Sequence, residues 1–295
     1  MALPLPPPRP CISYTWPPLA TSGIRQTRSS LEGVTTLVVQ NVPSAPVGRL
    51  GEWLVAAGLD LDVRDWPGLP DDLSGHDGLI LLGGDTVGDE PPQLRELLAA
   101  ALADERPTLA ICFGAQLLAT VLGGRVGPNP DGPEFGAQLI AKRANAATDP
   151  LFREMPITPD VIQWHHDAIL ELPPSAVLLA SSPVCEVQAF RAGRVAWGIQ
   201  FHIETTPDVV RRWAASDAAA LDGYDVEAIL ERADAVHADI AEVWRPFAER
   251  FASIVCDPSS VPATRPLRMA TAEPITDAAA IRAALAAEMR AARSQ

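Results

Sequence analysis

The stretch Pro107-Thr-Leu-Ala-Ile-Cys-Phe-Gly-Ala-Gln116 decides the fold. Its first half is an apolar run of strand length. Its second half opens a helical pattern over Ala115 to Leu122, closed by Gly123-Gly124. Cys112 stands at the junction. A strand that turns sharply into a helix thrusts the residue at the turn out at the carboxyl edge of a sheet. Gly114 lets that turn close without a Cβ clash. The helix N-terminus behind Cys112 favours a thiolate over a thiol, and the Phe113 N–H would point at an oxyanion forming beside the sulfur. The competing reading is a buried Cys acting as a small hydrophobe.

The same alternation surrounds this segment. Thr35 to Asn41 reads as a strand, Arg49 to Gly58 as a helix, Leu59 to Arg64 as a strand and Asp77 to Gly84 as a buried strand ending in a Gly pair. Pro92 to Ala103 reads as a helix. This rhythm predicts right-handed βαβ units and a mostly parallel sheet. After Gly127 the pattern changes to closely spaced strand candidates at Ala137–Lys142, Val161–Trp164, Val177–Ala180, Glu186–Arg191 and Val195–Gln200, which predict an antiparallel extension or edge. Pro207 to Ala215 looks helical. From Val226 to Ile254 apolar residues recur every three or four positions, which predicts one long amphipathic helix packed on the domain's own surface, with Pro246 inside it as a possible kink. Ala278 to Ala292 is a last, Ala-rich helix pattern.

The whole chain has 295 residues and a formal net charge of −14. An acidic chain lacks the basic footprint that nucleic-acid binding needs. No apolar run approaches the roughly 18 residues of a membrane span, and the Pro-broken start does not read as a signal peptide. The cysteines, Cys11, Cys112, Cys185 and Cys256, are scattered, with neither disulfide-scaffold density nor CxxC spacing. These features predict a cytoplasmic protein, and the nucleophilic chemistry read at Cys112 needs no metal or organic cofactor. A single Lys against 22 Arg hints at a GC-rich bacterial genome.

A second segment bears on Cys112. Val195 to Glu204 reads as a strand ending in His202-Ile203-Glu204. On an extended chain, residues two apart share a face, so Glu204 can orient His202 and His202 can take the proton of Cys112. A third is Leu82-Gly83-Gly84-Asp85, where two glycines after a buried strand let a backbone N–H approach a ligand. His165-His166-Asp167 suggests a metal, but neighbours on a strand face opposite ways, which argues against a shared ion. His76 and His237 read as surface residues, and Cys185 and Cys256 as structural.

Together these segments resemble the class I glutamine amidotransferases. The family pattern is a Gly pair after a strand, a Cys elbow followed by a Gln, and His-Pro-Glu near the end. Here these are Gly83-Gly84, Ile111-Cys-Phe-Gly-Ala-Gln116 and His202-Ile-Glu204. With Pro133-Glu-Phe-Gly136, Trp164-His-His-Asp167, Gln188-Ala-Phe-Arg191 and Trp197-Gly-Ile-Gln-Phe-His202, the chain looks most like stand-alone bacterial GMP-synthase-like amidotransferases, over roughly residues 35 to 255.

The resemblance implies an α/β, flavodoxin-like sheet and a triad of Cys112, His202 and Glu204. It implies an oxyanion hole from Gly84 and Phe113, and a glutamine pocket involving Gly83, Gly114, Gln116, Glu134, Gly136, Trp164 and His165. It implies ammonia release from glutamine through a γ-glutamyl thioester, passed to a separate acceptor synthase. The alternatives are a free-standing hydrolase of γ-glutamyl amides and a non-catalytic protein that kept the fold. Three positions depart from the pattern: Ala110 for a Gly, Ile203 for the Pro, and Asp85 after the Gly pair. The expected organisation is an extended segment 1–33, a glutaminase domain 34–215, a helical extension 216–256, and a linker with a terminal helix over 257–295.

Overall fold

The computed structural model describes residues 33–84, 88 and 90–262. The N-terminal segment before residue 33, Asp85 and the terminal helix pattern lie outside the described residues.

The first strand, β1 (Thr35–Gln40), leads into α1 (Gly48–Ala56) and β2 (Asp60–Asp65). Then come β3 (Gly78–Leu81), α2 (Pro92–Ala103), β4 (Thr108–Ile111) and α3 (Phe113–Val121). Short strands follow: β5 (Arg125–Pro128), β6 (Glu134–Leu139), β7 (Ala141–Lys142), β8 (Asp160–His165), β9 (Asp167–Glu171), β10 (Ala176–Ser181), β11 (Ala189–Ala192) and β12 (Ala196–Ile199). Helices α4 (Pro207–Ser216) and α5 (Val226–Cys256) complete the order.

The main sheet has eight strands in the order β2-β1-β3-β4-β12-β11-β10-β7. Its first five members are parallel, and β11, β10 and β7 continue it antiparallel. This is a flavodoxin-like sheet with an antiparallel extension. Two ribbons stand apart from it, β5 with β9 and β6 with β8. The expected strands are present except that Ala137–Lys142 splits at Ile140 into the end of β6 and the separate β7, which belong to different sheets; β5 and β9 were not expected.

Alternation along β1 sorts the core. Val38 faces a cluster with Leu50, Trp53 and Leu54 of α1 and Phe247 and Phe251 of α5. Leu37 and Val39 face the other cluster, with Leu94, Leu97 and Leu98 of α2 and Leu117 and Leu118 of α3. Helix α5 therefore belongs to the core of the sheet. Asp225 caps it by accepting from the Ala228 N–H at 3.0 Å, and it runs on through Pro246. Its Trp244 and Phe247 meet Phe152 edge-on, and Phe251 meets Trp197.

His76 and His237 are buried, contrary to the surface reading. His76 pairs with Asp62 at 3.0 Å. His237 turns inward from α5, with its Nδ1 2.5 Å from the Ala233 carbonyl and its Nε2 3.3 Å from Thr205 Oγ1. No helix among the described residues is long and apolar enough to cross a membrane.

Candidate active site

The carboxyl ends of four parallel strands meet at one place: Asn41 after β1, Gly83-Gly84 after β3, Cys112 after β4 and His202 after β12. Ligands of open α/β sheets bind at this edge, where the strand order reverses.

Cys112 lies directly between β4 and α3, with φ 51° and ψ −110°. Positive φ in a non-glycine residue is strained and held only by its surroundings. Two contacts hold it here. The Cys112 N–H donates to the Ile199 carbonyl of β12 at 2.8 Å, and its own carbonyl accepts from the Gln116 N–H at 3.0 Å. Helix α3 starts at Phe113, two residues earlier than its apolar pattern. The Phe113 N–H is thus among the first-turn donors that have no partner within a helix. Gly114 is required by contact: a Cβ there would lie 2.5 Å from the Leu81 carbonyl of β3.

The Gly pair is fixed by Asn41. Its Nδ2 donates to the carbonyls of Leu82 at 2.6 Å and Gly83 at 3.2 Å, and its Oδ1 accepts from Trp66 Nε1. A Cβ on Gly84 would strike Asn41 at 2.8 Å. A Cβ on Gly83 would lie 3.1 Å from His202 Cε1 and 3.9 Å from Cys112 Cβ. The backbone here therefore closes on both side chains.

His202 Nδ1 is 2.6 Å from Glu204 Oε1, and both residues are buried. They do not share a strand: β12 ends at Ile199, and His202 is held by an isolated bridge to Ile162. The bend beyond it brings Glu204 back to the ring. The departure at Ile203 contributes here. The Ile203 N–H donates to Glu204 Oε2 at 2.9 Å, a bond that proline cannot make. The Glu204 carbonyl accepts from the Arg49 N–H of α1 at 2.9 Å.

Burial drives the His202 pKa down, but the charges of Glu204 and Cys112 and its hydrogen bonds to both outweigh burial and carry it up to about 10. The ring also lies against Trp213 of α4, with centroids 4.7 Å apart.

The Ala110 methyl fits. Ala110 is fully buried in β4, between Leu81 of β3 and Gly198 of β12, and the space a Gly198 side chain would take is filled by the Phe190 ring.

The remaining wall comes from the β6–β8 ribbon. The Cys112 thiol faces the Trp164 carbonyl at 3.9 Å. The Trp164 indole donates to Asp217 Oδ2 at 2.6 Å and lies between Phe135 and Trp213. Gln116 commits both amide hydrogens internally, to the Asp167 carbonyl at 3.0 Å and Gln200 Oε1 at 3.2 Å. Gln200 Nε2 in turn donates to Cys112 Sγ at 3.6 Å. Gln200, Asn41 and Trp213 were not singled out from sequence. Gln200 and Asn41 each carried a signal, a polar residue ending an apolar strand; Trp213, on α4, carried none.

Glu134 and His165 are opposite each other in the ribbon and pair at 3.1 Å behind this wall. Burial and the charge of Glu134 push the nearby Cys185 thiol up to about 12. Gly136, with φ 81°, lies under α5, where a Cβ would meet Ile229 at 2.8 Å.

A nucleophile elbow beside a His–carboxylate pair, on a doubly wound sheet, defines a hydrolase of the Cys–His–Glu type. The family model Glutamine amidotransferase class-I matches residues 50–212, and the chain belongs to that family. It is 34% identical over 157 residues to a glutamine-hydrolyzing GMP synthase subunit of Thermoplasma acidophilum, covering 52% of this chain and 76% of that one. It is also 34% identical over 146 residues to gamma-glutamyl peptidase 3 of Arabidopsis thaliana, covering 47% of this chain and 59% of that protein. The chain thus spans about three fifths of the peptidase's length. Among solved structures, a glutamine amidotransferase from Thermotoga maritima superposes with a TM-score of 0.67 at 30% identity, over 75% of this chain and 98% of that one.

Proposed function

We propose that the chain hydrolyses the side-chain amide of glutamine, with Cys112, His202 and Glu204 as its triad. The observation that carries this reading is the Cys112 elbow facing an imidazole held by a carboxylate at 2.6 Å. Cys112 sulfur, its proton already held by His202, attacks the amide carbon. The oxyanion is met by the N–H groups of Gly84 and Phe113. His202 then gives its proton to the leaving nitrogen, ammonia departs, and a γ-glutamyl thioester remains. Water, deprotonated by His202, hydrolyses the thioester to glutamate and restores the thiol. The pocket is lined by Gly83 and by the Trp164–His165 backbone. Gln116 supports it through Gln200.

The ammonia serves a separate synthase in this proposal, which the similarity to a GMP synthase subunit supports. Residues 34–215 act as the glutaminase unit and 216–256 as its helical extension, in the cytoplasm. A second reading is favoured by the similarity to gamma-glutamyl peptidase 3: hydrolysis of other γ-glutamyl amides at the same site.

The test is ammonia and glutamate release from glutamine by the purified chain, beside Cys112→Ala. Turnover that disappears in the variant supports the proposal. Turnover that survives in Cys112→Ala sinks it. Faster Cys112-dependent cleavage of γ-glutamyl dipeptides than of glutamine selects the second reading.

A further inference from the structure

The group behind the site wall carries an unmet electrostatic demand. His165 Nδ1 lies 2.9 Å from the Asp167 carbonyl. A carbonyl only accepts, so Nδ1 carries the hydrogen. A neutral ring then presents a bare lone pair at Nε2, and that atom is buried without a hydrogen-bond partner. It lies 3.1 Å from Glu134 Oε2, which is itself rich in electrons. Two such atoms at this distance need a cation between them.

A proton would join only these two. Cys185 brings a third donor: its Sγ, the Glu134 oxygen and the His165 nitrogen all lie within 4.8 Å of one another, and all three residues are buried. We propose that Glu134, His165 and Cys185 bind a divalent transition-metal ion of the zinc class as a structural clamp.

The chemistry of the donors fits such an ion. A mixed imidazole, carboxylate and thiolate set suits zinc and not the hard cations. Charge also balances. One carboxylate and one thiolate neutralise a divalent ion, so the buried cluster carries no net charge, and the thiol proton leaves to solvent as the metal–sulfur bond forms.

Outer partners are in place. The Asp167 carbonyl fixes the His165 ring, and Glu134 accepts from Gln188 Nε2 at 2.8 Å and Ser182 Oγ at 3.2 Å. Support of this kind orients metal ligands.

The clamp would join β6, β8 and the 182–188 segment before β11. It would hold in place Trp164, whose carbonyl faces Cys112.

The experiment uses the full chain carrying Cys112→Ser, which removes the thiol of the neighbouring active site, stripped with chelator and titrated with Co²⁺. The expected result is one bound equivalent, a thiolate-to-cobalt charge-transfer band, and displacement by Zn²⁺. Adding Cys185→Ala should abolish the band and weaken binding at least about tenfold. No saturable binding overturns the proposal, and so does a band that persists without Cys185. X-ray absorption of the Zn²⁺-loaded Cys112→Ser chain settles the matter if the double variant does not fold. One sulfur with nitrogen and oxygen neighbours supports the clamp; a shell without sulfur refutes it. These readouts do not depend on glutamine turnover.

Discussion

The parallel edge and the β6–β8 ribbon both face Cys112, yet they are built differently. At the edge, what is placed is largely main chain: a positive φ at Cys112, a Gly pair whose carbonyl Asn41 holds, and a bend that returns Glu204 to His202. In the ribbon, groups are fixed by side chains, through Glu134, His165, Gln188 and the Trp164 indole. The difference teaches that the edge governs chemistry through main-chain geometry, while the ribbon governs how firmly the wall stands. Changes at the edge should therefore appear in turnover whether or not they cost stability, and changes in the ribbon in stability alone.

The largest effect is expected at Glu204→Gln. It keeps the shape but removes the charge that keeps His202 protonated, and kcat should fall by about 10²–10⁴-fold, the range of a lost acid–base partner. A fall below about tenfold would break the comparison at its strongest point. The His202 pKa of about 10 also sets a pH window. Because the folded value lies above the ordinary value of 6.5, its stabilising contribution is complete below about pH 6.5 and is lost as pH rises through about 10. Thermal melts across that range should show a decline that is absent from Glu204→Gln.

Gly114→Ala should destabilise the fold by about 1–3 kcal/mol, through overpacking against Leu81. It should also slow turnover, because α3 and the Phe113 N–H shift together; denaturant unfolding beside steady-state rates would show both. Gly136→Ala, in the ribbon, should cost about 1 kcal/mol through its positive φ and the Ile229 contact while kcat stays within about twofold. A large loss of kcat there would mean that the ribbon shapes chemistry too.

Much of this was legible in sequence where one segment carries the whole signal. The run Leu109–Gln116 reads as strand, elbow and helix because each residue's role depends on its neighbours. His202 and Glu204 were legible as a pair, although the expected geometry was wrong: a bend, not a strand, joins them. What was not legible depends on distant chain. Asn41 reaches Gly83 across 42 residues, Trp213 reaches His202 from helix α4, and His237 looked exposed until α5 was placed in the core. Strand β5 escaped because its pairing with β9, not an apolar run, makes Arg125–Pro128 a strand.

The Ile203 N–H has a consequence for observation. Relatives with the His-Pro-Glu pattern have no amide hydrogen at that place. Here one is donated to the carboxylate that partners His202. Its proton resonance should move as the Glu204–His202 pair changes charge, so the chain carries its own spectroscopic reporter of the dyad, readable without substrate, label or mutation.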